Sequence, residues 1–224
     1  MRYAVKNNKG ENMILKVERM DYVDYPPEND YTHLVTFCRD YDIGEHYSDS
    51  YTCLCELLDK YGVDYTEEDS YDVDTLFKKF CSIDSIVVYN LYLYDHSGLS
   101  LSWSDTSFVD REWDVSLIGF AYADIKDFDN DKESAKTCLR GSIQEWDDYL
   151  QGEVYEGTLY EVTPYKFTRE NLKTGEVTTS TSEQEDYVDS LGYYYASGYE
   201  NSEKLAKEIA YDLGVEITEE LQED

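Results

Sequence analysis

The sequence is poor in basic residues for its length. Its 224 residues contain 19 Lys and Arg against 50 Asp and Glu, which gives a formal net charge of −31. A protein that holds nucleic acid through phosphate contacts needs a basic face, and attraction to an anionic lipid surface needs clusters of Lys and Arg. The charge therefore excludes direct binding of nucleic acid and electrostatic anchoring to a membrane.

Long apolar runs are also missing. No stretch of eighteen apolar residues occurs, which excludes a membrane-spanning helix. The first twenty residues contain no continuous apolar segment of the kind found in signal peptides. Five cysteines at irregular spacing, in a chain without an export signal, predict reduced thiols. We therefore expect a cytoplasmic protein that has no contact with a membrane.

Motifs that carry catalysis or bind cofactors are absent too. Neither GxGxxG nor GxxxxGK[ST] occurs, and the three histidines do not stand in a paired ligand spacing. Paired carboxylates carry no information here, because 50 acidic residues guarantee chance pairs. The sequence therefore predicts no cofactor, no metal site and no catalytic residue, and we expect a protein that is not an enzyme.

One segment partly matches a calcium-binding loop. Asp127, Asp129 and Asp131 fit the first three ligand positions of an EF-hand. Lys132 then stands where the turn glycine belongs, and Cys138 stands where the bidentate Glu belongs. The segment is not an EF-hand, and weak binding of cations near these three carboxylates stays open.

What the chain does contain is typical of a folded protein. Hydrophobic residues make up 41% and aromatic residues 15%, whereas acidic disordered tails have few of either. The negative charge lies in three blocks, with net charges of −14 in residues 21–75, −10 in 105–161 and −11 in 183–224. Tyrosine is abundant, with 24 in total and nine within residues 21–75. Acidic and aromatic side chains therefore alternate over much of the chain.

The hydrophobic pattern predicts an α+β fold. Eight strand patterns outnumber the helical ones and do not alternate with them regularly, at residues 12–19, 33–38, 86–94, 99–103, 117–123, 153–162, 176–181 and 187–195. Residues 153–162 and 176–181 flank a turn and predict a long hairpin.

Four helical segments stand out, of which residues 131–150 show the clearest 3.6-residue period and are followed by Gly152. Ser50 is the expected cap of the helix at residues 51–61, and Asn130 with Glu133 predicts a capping box at the start of the helix at 131–150. No repeat or flexible linker is present. We expect a single compact domain over residues 1–224, with a mainly antiparallel sheet, about four helices and frayed final residues.

Several segments together resemble a known family. They are residues 38–44 (CRDYDIG), 91–100 (LYLYDHSGLS), 113–114 (WD), 118–122 (IGFAY) and 145–155 (EWDDYLQGEVY). In this order they resemble a family of small uncharacterised proteins that are carried by phages and mobile elements of Gram-positive bacteria. The resemblance is patchy and spans roughly residues 33–200.

The chain departs from that family at two positions. Asp40 stands where the family has a second basic residue, and Glu112 stands where the family tends to have proline. The resemblance transfers no catalytic residue. It implies a phage or mobile-element origin, an accessory role in the host cytoplasm, and a shared scaffold that is shifted towards acidity in this chain.

The charge and the resemblance together suggest a DNA mimic. An acidic phage protein can occupy the nucleic-acid groove of a host defence nuclease, such as a restriction enzyme or a CRISPR effector. Its partner is then a host protein with a basic groove that binds DNA or RNA. We expect the acidic block of residues 21–75 to make the interface, through Asp21, Tyr22, Asp24, Tyr25, Asp40, Tyr41, Asp42, Glu45, Asp49, Glu67, Glu68 and Asp69.

Other interpretations remain open from the sequence alone. The acidity can serve only solubility in a phage accessory or structural protein. An enzyme without a recognisable motif is another class, which a deep pocket with a carboxylate of shifted pKa would favour. The sequence also allows a homodimer. It does not identify the target or the block that makes the interface.

Overall fold

The protein divides into two compact units. The structure is a computed structural model that describes residues 1–24, 26–66, 69, 72–96, 98–108 and 114–221. We call Asp24–Gln151 the central unit, and Met1–Val23 together with Gly152–Asp224 the terminal unit. The α+β class, the mainly antiparallel pairing and the four helices are confirmed among the described residues. That residues 1–224 form a single domain stays a prediction.

The described strands and helices follow one another without regular alternation. In chain order they are β1 (Arg2–Asn7), β2 (Asn12–Arg19), β3 (Thr32–Thr36), β4 (Glu45–His46), α1 (Ser50–Lys60), α2 (Val73–Cys81), β5 (Ile86–Asp95), β6 (Leu99–Ser102), β7 (Val115–Asp124), α3 (Lys132–Gln151), β8 (Val154–Glu170), β9 (Val177–Tyr195), α4 (Ser202–Asp212) and β10 (Val215–Leu221).

In the central unit, helices cover both faces of a five-stranded sheet of order β4-β3-β7-β5-β6. All neighbouring strands are antiparallel except β3 and β4, which run parallel. Successive residues of a strand point to opposite faces. Leu34 and Ala121 therefore belong to the core under α3, whereas Val35 and Phe120 belong to the core under α1 and α2. The unit has three layers and a core on each side of the sheet.

In the terminal unit, a single helix covers one face of an antiparallel sheet of order β10-β1-β2-β8-β9. Ile209 on α4 is fully buried in one core with Val5, Leu15 and Leu159. Strand β2 pairs with β8 only as far as Glu161. Beyond that point β8 and β9 continue as a long hairpin whose register runs to the tip.

The structure corrects the predicted starts of two helices, α1 and α3. The sequence suggests Ser50 as the cap of α1, but the cap is Asp49, whose carboxylate accepts a hydrogen bond from the Thr52 amide. The predicted capping box of Asn130 and Glu133 is wrong as well. Asp131 takes that role, since its carboxylate accepts from the Glu133 amide at 3.0 Å. One residue decides each helix start, and neighbouring polar residues compete for it.

The described helices include none that is both long and apolar enough to cross a bilayer.

Candidate functional site

The connection from β3 to α1 carries four of the predicted partner-binding acids. Asp40, Asp42, Glu45 and Asp49 are all exposed there. The connection is held from within by Ile43, which is fully buried and whose carbonyl accepts a hydrogen bond from the Thr36 hydroxyl at 2.7 Å. Anchoring one apolar side chain inward leaves its acidic neighbours at the surface.

Gly44 fixes the shape of this connection. Its φ of 61° lies in the left-handed region, which most side chains avoid. A Cβ at this position would also collide with the carbonyl oxygen of Leu34. The sharp turn lets Glu45 and His46 pair with β3 as the parallel strand β4. The acids on either side of the turn are therefore held by backbone geometry.

Two carboxylates of the predicted set also accept hydrogen bonds that stabilise the backbone around them. Asp49 caps α1, and hydrogen bonds from Thr52 lower the pKa of its carboxyl. Asp69 accepts hydrogen bonds from the Thr66 amide and hydroxyl and from Lys79, and these lower its pKa too. Both carboxylates stay ionised, but the Asp69 carboxylate is occupied by hydrogen bonds within its own turn.

The predicted tyrosines differ in how they are held. Tyr22 exposes 75% of its surface, whereas Tyr41 is half-buried against the core of the central unit. The Tyr41 hydroxyl donates a hydrogen bond to Asp95, and that bond is the main reason why its pKa is raised. The Tyr22 ring is therefore mostly open to solvent, whereas the Tyr41 ring is held in place by packing and by its hydrogen bond to Asp95.

The remaining predicted residues do not all join the β3–α1 connection. Asp21 and Tyr22 belong to the terminal unit, while Asp24 is the first residue of the central unit, and both acids are exposed. Tyr25, Glu67 and Glu68 lie outside the residues that the structure describes. The structure thus brings together Asp40, Asp42, Glu45 and Asp49 along one connection.

A cleft of about 480 Å³ opens beside this connection in the central unit. Asp42 and Glu45 contribute to its wall from the first acidic block, as do Glu28 and Asp30. Glu145 on α3 contributes from the second block. Among the described residues that line the cleft there is no Lys or Arg. Two acidic blocks that lie far apart in sequence therefore meet around one concavity.

His33 and Glu145 have different surroundings in the cleft wall. The His33 Nδ1 atom lies 2.6 Å from Glu45 Oε1, and its ring stacks on Tyr122 with 4.7 Å between centroids. Burial raises the pKa of Glu145, and the negative charge of Asp148 raises it further. One carboxyl of the cleft is thus shifted towards its neutral form.

The floor of the cleft is a small network of neutral groups. The Ser142 hydroxyl accepts hydrogen bonds from Thr32 Oγ1 at 2.8 Å and from Asn29 Nδ2 at 3.2 Å. An activated serine nucleophile needs an adjacent base. Within the described part of the chain, the Ser142 hydroxyl makes these two bonds and none to His33 or to a carboxylate. The network fixes the floor of the cleft.

The partial calcium-loop match does not assemble a ligand cage. The Asp131 carboxylate is engaged at the start of α3, where it also accepts from the Ser134 hydroxyl at 2.7 Å. Asp129 stands in the left-handed region with a φ of 53°. Over the described ranges, no three His, Cys, Asp or Glu side chains are grouped to hold a metal ion.

Sequence reasoning missed three acidic residues that line the cleft. Glu28 and Asp30 follow Pro26 and Pro27, which also line it, and Glu145 follows them by more than 110 positions. No spacing rule connects residues so far apart. The only signal was the apolar period of α3, which is compatible with Trp146 facing inward and Glu145 beside it at the edge of the buried face.

Two of the segments that carry the family resemblance contact each other. Asp147, in the EWDDYLQ segment, is buried and accepts hydrogen bonds from the Leu101 amide at 2.7 Å and the Ser100 hydroxyl at 2.8 Å. These bonds fasten α3 to the edge strand β6. Trp113 and Glu112, which belong to the same pattern, lie outside the described residues.

Comparison of the chain with protein-family models, with curated proteins and with solved structures gives no match.

Proposed function

We propose that this protein is a non-enzymatic inhibitor of the DNA-mimic type, which acts in the cytoplasm of a bacterial host. It would occupy the basic nucleic-acid groove of a host defence nuclease, either a restriction enzyme or a CRISPR effector. The observation that carries the proposal is the surface cluster of Asp40, Asp42, Glu45 and Asp49, which the buried anchor Ile43 leaves exposed along the β3–α1 connection.

The concentration of charge matters more than its total. The net charge of −31 over an accessible surface of 14393 Å² amounts to one charge per 464 Å² if it were spread evenly. Duplex DNA presents one charge per about 1.7 Å of its axis, which is far denser. Mimicry therefore needs local clusters, and the cleft with the β3–α1 connection supplies one.

Exposed aromatic side chains supply contacts that charge alone lacks. Tyr22 and Tyr51 expose 75% and 42% of their surface, and both lie within the acidic block of residues 21–75. Tyrosine is enriched at protein interfaces because it offers a large, rigid surface with a hydrogen-bonding end. Charge would steer the encounter, and the tyrosines would hold the complex.

A second candidate is an enzyme that uses the same cleft. It is favoured by Glu145, whose raised pKa in a concave site is typical of a general acid. Its test is a screen with chromogenic ester, glycoside and phosphodiester substrates. Turnover that is lost in Glu145→Gln would support the enzyme and contradict a purely inhibitory role.

The first experiment is capture of a partner from lysate of bacteria that carry restriction and CRISPR systems. The chain is immobilised at low salt, and bound protein is eluted with duplex DNA. A captured protein is then purified, and the chain is tested as a competitor of a labelled duplex for it. The proposal requires a partner that duplex DNA releases and whose own DNA binding the chain blocks.

A matched pair of variants then locates the interface. The test variant combines Asp40→Asn, Asp42→Asn, Glu45→Gln and Asp49→Asn, where Asn preserves the helix cap at residue 49. The control variant combines Glu208→Gln, Glu216→Gln, Glu219→Gln and Glu220→Gln, which are exposed in the terminal unit. Each set removes four charges from −31 and leaves −27.

We expect the test variant to compete about tenfold less well and with a flatter salt dependence, while the control changes little. Equal losses in both variants would mean that net charge acts without a defined interface. If no captured protein responds to duplex DNA or to salt, the acidity serves solubility and the proposal fails.

A further inference from the structure

The distal part of the β8–β9 hairpin is unlike the rest of the surface. We call residues 162–186 the β-arm. Within it β8 and β9 pair with each other, from Val162↔Glu185 to Glu170↔Val177, and every residue from 164 to 184 is exposed. Two-stranded hairpins that stand alone are marginally stable in water. The β-arm therefore has both faces and two strand edges available for further contacts.

The edge of β9 is the exception among the sheet edges. A long exposed edge strand invites pairing with another chain, and proteins protect such edges with charge, shortness or cover. At the opposite edge of the same sheet, β10 carries Glu216, Glu219 and Glu220. Residues 177–182 of β9 (VTTSTS) carry no ionisable side chain at all.

The two edges of the other sheet are also protected. Strand β4 has only two residues, one of which is Glu45. Strand β6 has four residues, and its Leu101 amide is already bonded to Asp147. Of the sheet edges that the structure describes, only residues 177–182 of β9 form a run of six strand residues that has no ionisable side chain and is rich in β-branched residues.

The charge of the chain restricts what can cover this edge. Two copies with a net charge of −31 each repel one another over most of their surfaces. Residues 162–182 have a net charge of +1, with Lys166, Arg169 and Lys173 against Glu170 and Glu176, and the three acids of residues 183–186 bring the whole β-arm to −2. The distal part of the β-arm, residues 162–182, is thus one of the few surfaces through which two copies can approach without strong repulsion.

Apolar side chains on the β-arm add to this surface. Tyr165 and Phe167 lie on the same face of β8, expose 40% and 52% of their surface, and have ring centroids 6.4 Å apart. Ser182 and Ser180 stand opposite them on β9. An intermolecular sheet would extend this face across two copies and shelter the rings.

We infer that the β-arm forms a homodimer, in which residues 177–181 of β9 pair antiparallel with the same residues of a second copy. A two-fold axis at Thr179 places Thr179 opposite itself, Thr178 opposite Ser180 and Val177 opposite Thr181, with no like charges in the paired segment. Such an isologous interface is closed and stops at two copies. This inference does not depend on the proposed function, since the acids of the cleft belong to the central unit.

The test uses a matched pair of substitutions in the β-arm. Thr179→Glu places two carboxylates about 5 Å apart across the inferred axis. Thr168→Glu, at the residue that pairs with Thr179 on β8, adds the same charge to the same face without touching the β9 edge. Far-UV circular dichroism of both variants checks that the fold is retained.

Sedimentation velocity at concentrations from about 1 to about 500 µM measures the association of a small interface of this kind. We expect the wild type and Thr168→Glu to approach twice the chain mass of 26.2 kDa, and Thr179→Glu to remain at that mass. Raised salt should strengthen the dimer because it screens the repulsion. A wild-type monomer throughout, a dimer that survives Thr179→Glu, or equal loss in both variants would overturn the inference.

Discussion

The two five-stranded sheets of this chain are covered differently, and the difference is visible in their side chains. In the central unit both faces of the sheet are buried, so the inner strand β7 is almost entirely apolar from Ile118 to Ala123. In the terminal unit one face is covered by α4, and β2 alternates between buried and accessible residues. The hydrophobic pattern of a strand thus shows how many of its faces are buried: a continuous apolar run indicates two faces, and alternation indicates one.

This comparison predicts where the chain is most sensitive to a lost side chain. Phe80 is fully buried between α2 and the sheet, and its ring packs 5.4 Å from the rings of Phe120 and Tyr122. We expect Phe80→Ala to lower the free energy of unfolding by about 3–5 kcal/mol, because it leaves a cavity that the sheet cannot close. All three tryptophans lie within residues 103–146, so urea unfolding followed by tryptophan fluorescence reports on the central unit.

Leu117→Ala is the matched control for that measurement. Leu117 belongs to the same sheet but exposes 61% of its surface. Its truncation should change the free energy of unfolding by no more than about 0.5 kcal/mol. Comparable losses for the two variants would contradict the three-layer core.

Two glycines sharpen the comparison between the sheets. A Cβ at Gly119 would collide with the backbone carbonyl of Val35 on the neighbouring strand, whereas a Cβ at Gly157 would meet the Ile209 side chain of α4. Backbone in a buried sheet cannot move away, but a side chain can change its rotamer. We expect Gly119→Ala to cost about 3 kcal/mol and Gly157→Ala about 1–2 kcal/mol.

Hydrogen exchange measured by mass spectrometry assigns each loss to its own sheet. Gly141→Ala serves as the control, because a Cβ there has no heavy atom within 4 Å and the site lies inside α3. That change should stabilise the protein by about 0.5–1 kcal/mol. A greater loss for Gly157→Ala than for Gly119→Ala would reverse the proposed order.

The elements that bury an apolar face were predictable from the sequence. Helix α3 was expected at residues 131–150 and spans Lys132–Gln151, because its apolar period and the flanking Gly152 mark both ends. The long hairpin was expected only as residues 153–162 and 176–181, with a separate strand at 187–195. It runs instead through Val154–Glu170 and Val177–Tyr195. The β-arm buries neither face, so no alternation marks its length.

The candidate site was predictable only in part, for a related reason. The acidic block of residues 21–75 could be recognised by composition, and Asp40, Asp42, Glu45 and Asp49 are exposed as expected. Composition does not show that Glu145 lines the same cleft as Asp42 and Glu45, because this depends on how α3 packs against the sheet. Nor does it show that Asp69 is bonded within a turn.

The smallest predicted effect concerns the cleft itself. Burial and the charge of Asp148 raise the pKa of Glu145, so the folded state favours its neutral form. The folded pKa lies above the unfolded one, so this contribution to stability is fully present below the unfolded value and is lost as pH rises through the folded value. Glu145→Gln is permanently neutral. We therefore expect it to stabilise the protein at pH 7, by less than about 1 kcal/mol, and to leave the free energy of unfolding nearly unchanged at about pH 3.

The pH dependence separates this effect from a general relief of charge repulsion. Glu133→Gln removes one charge from an exposed position on the same helix, where Glu133 pairs with Lys136. Urea titrations of both variants at the two pH values give the comparison. A gain at pH 7 in Glu145→Gln but not in Glu133→Gln means that the cleft holds the ionised Glu145 carboxylate at a cost to folding. Equal behaviour of the two variants would mean that Glu145 is solvated like any surface acid. The cleft would then not differ electrostatically from the rest of the acidic surface.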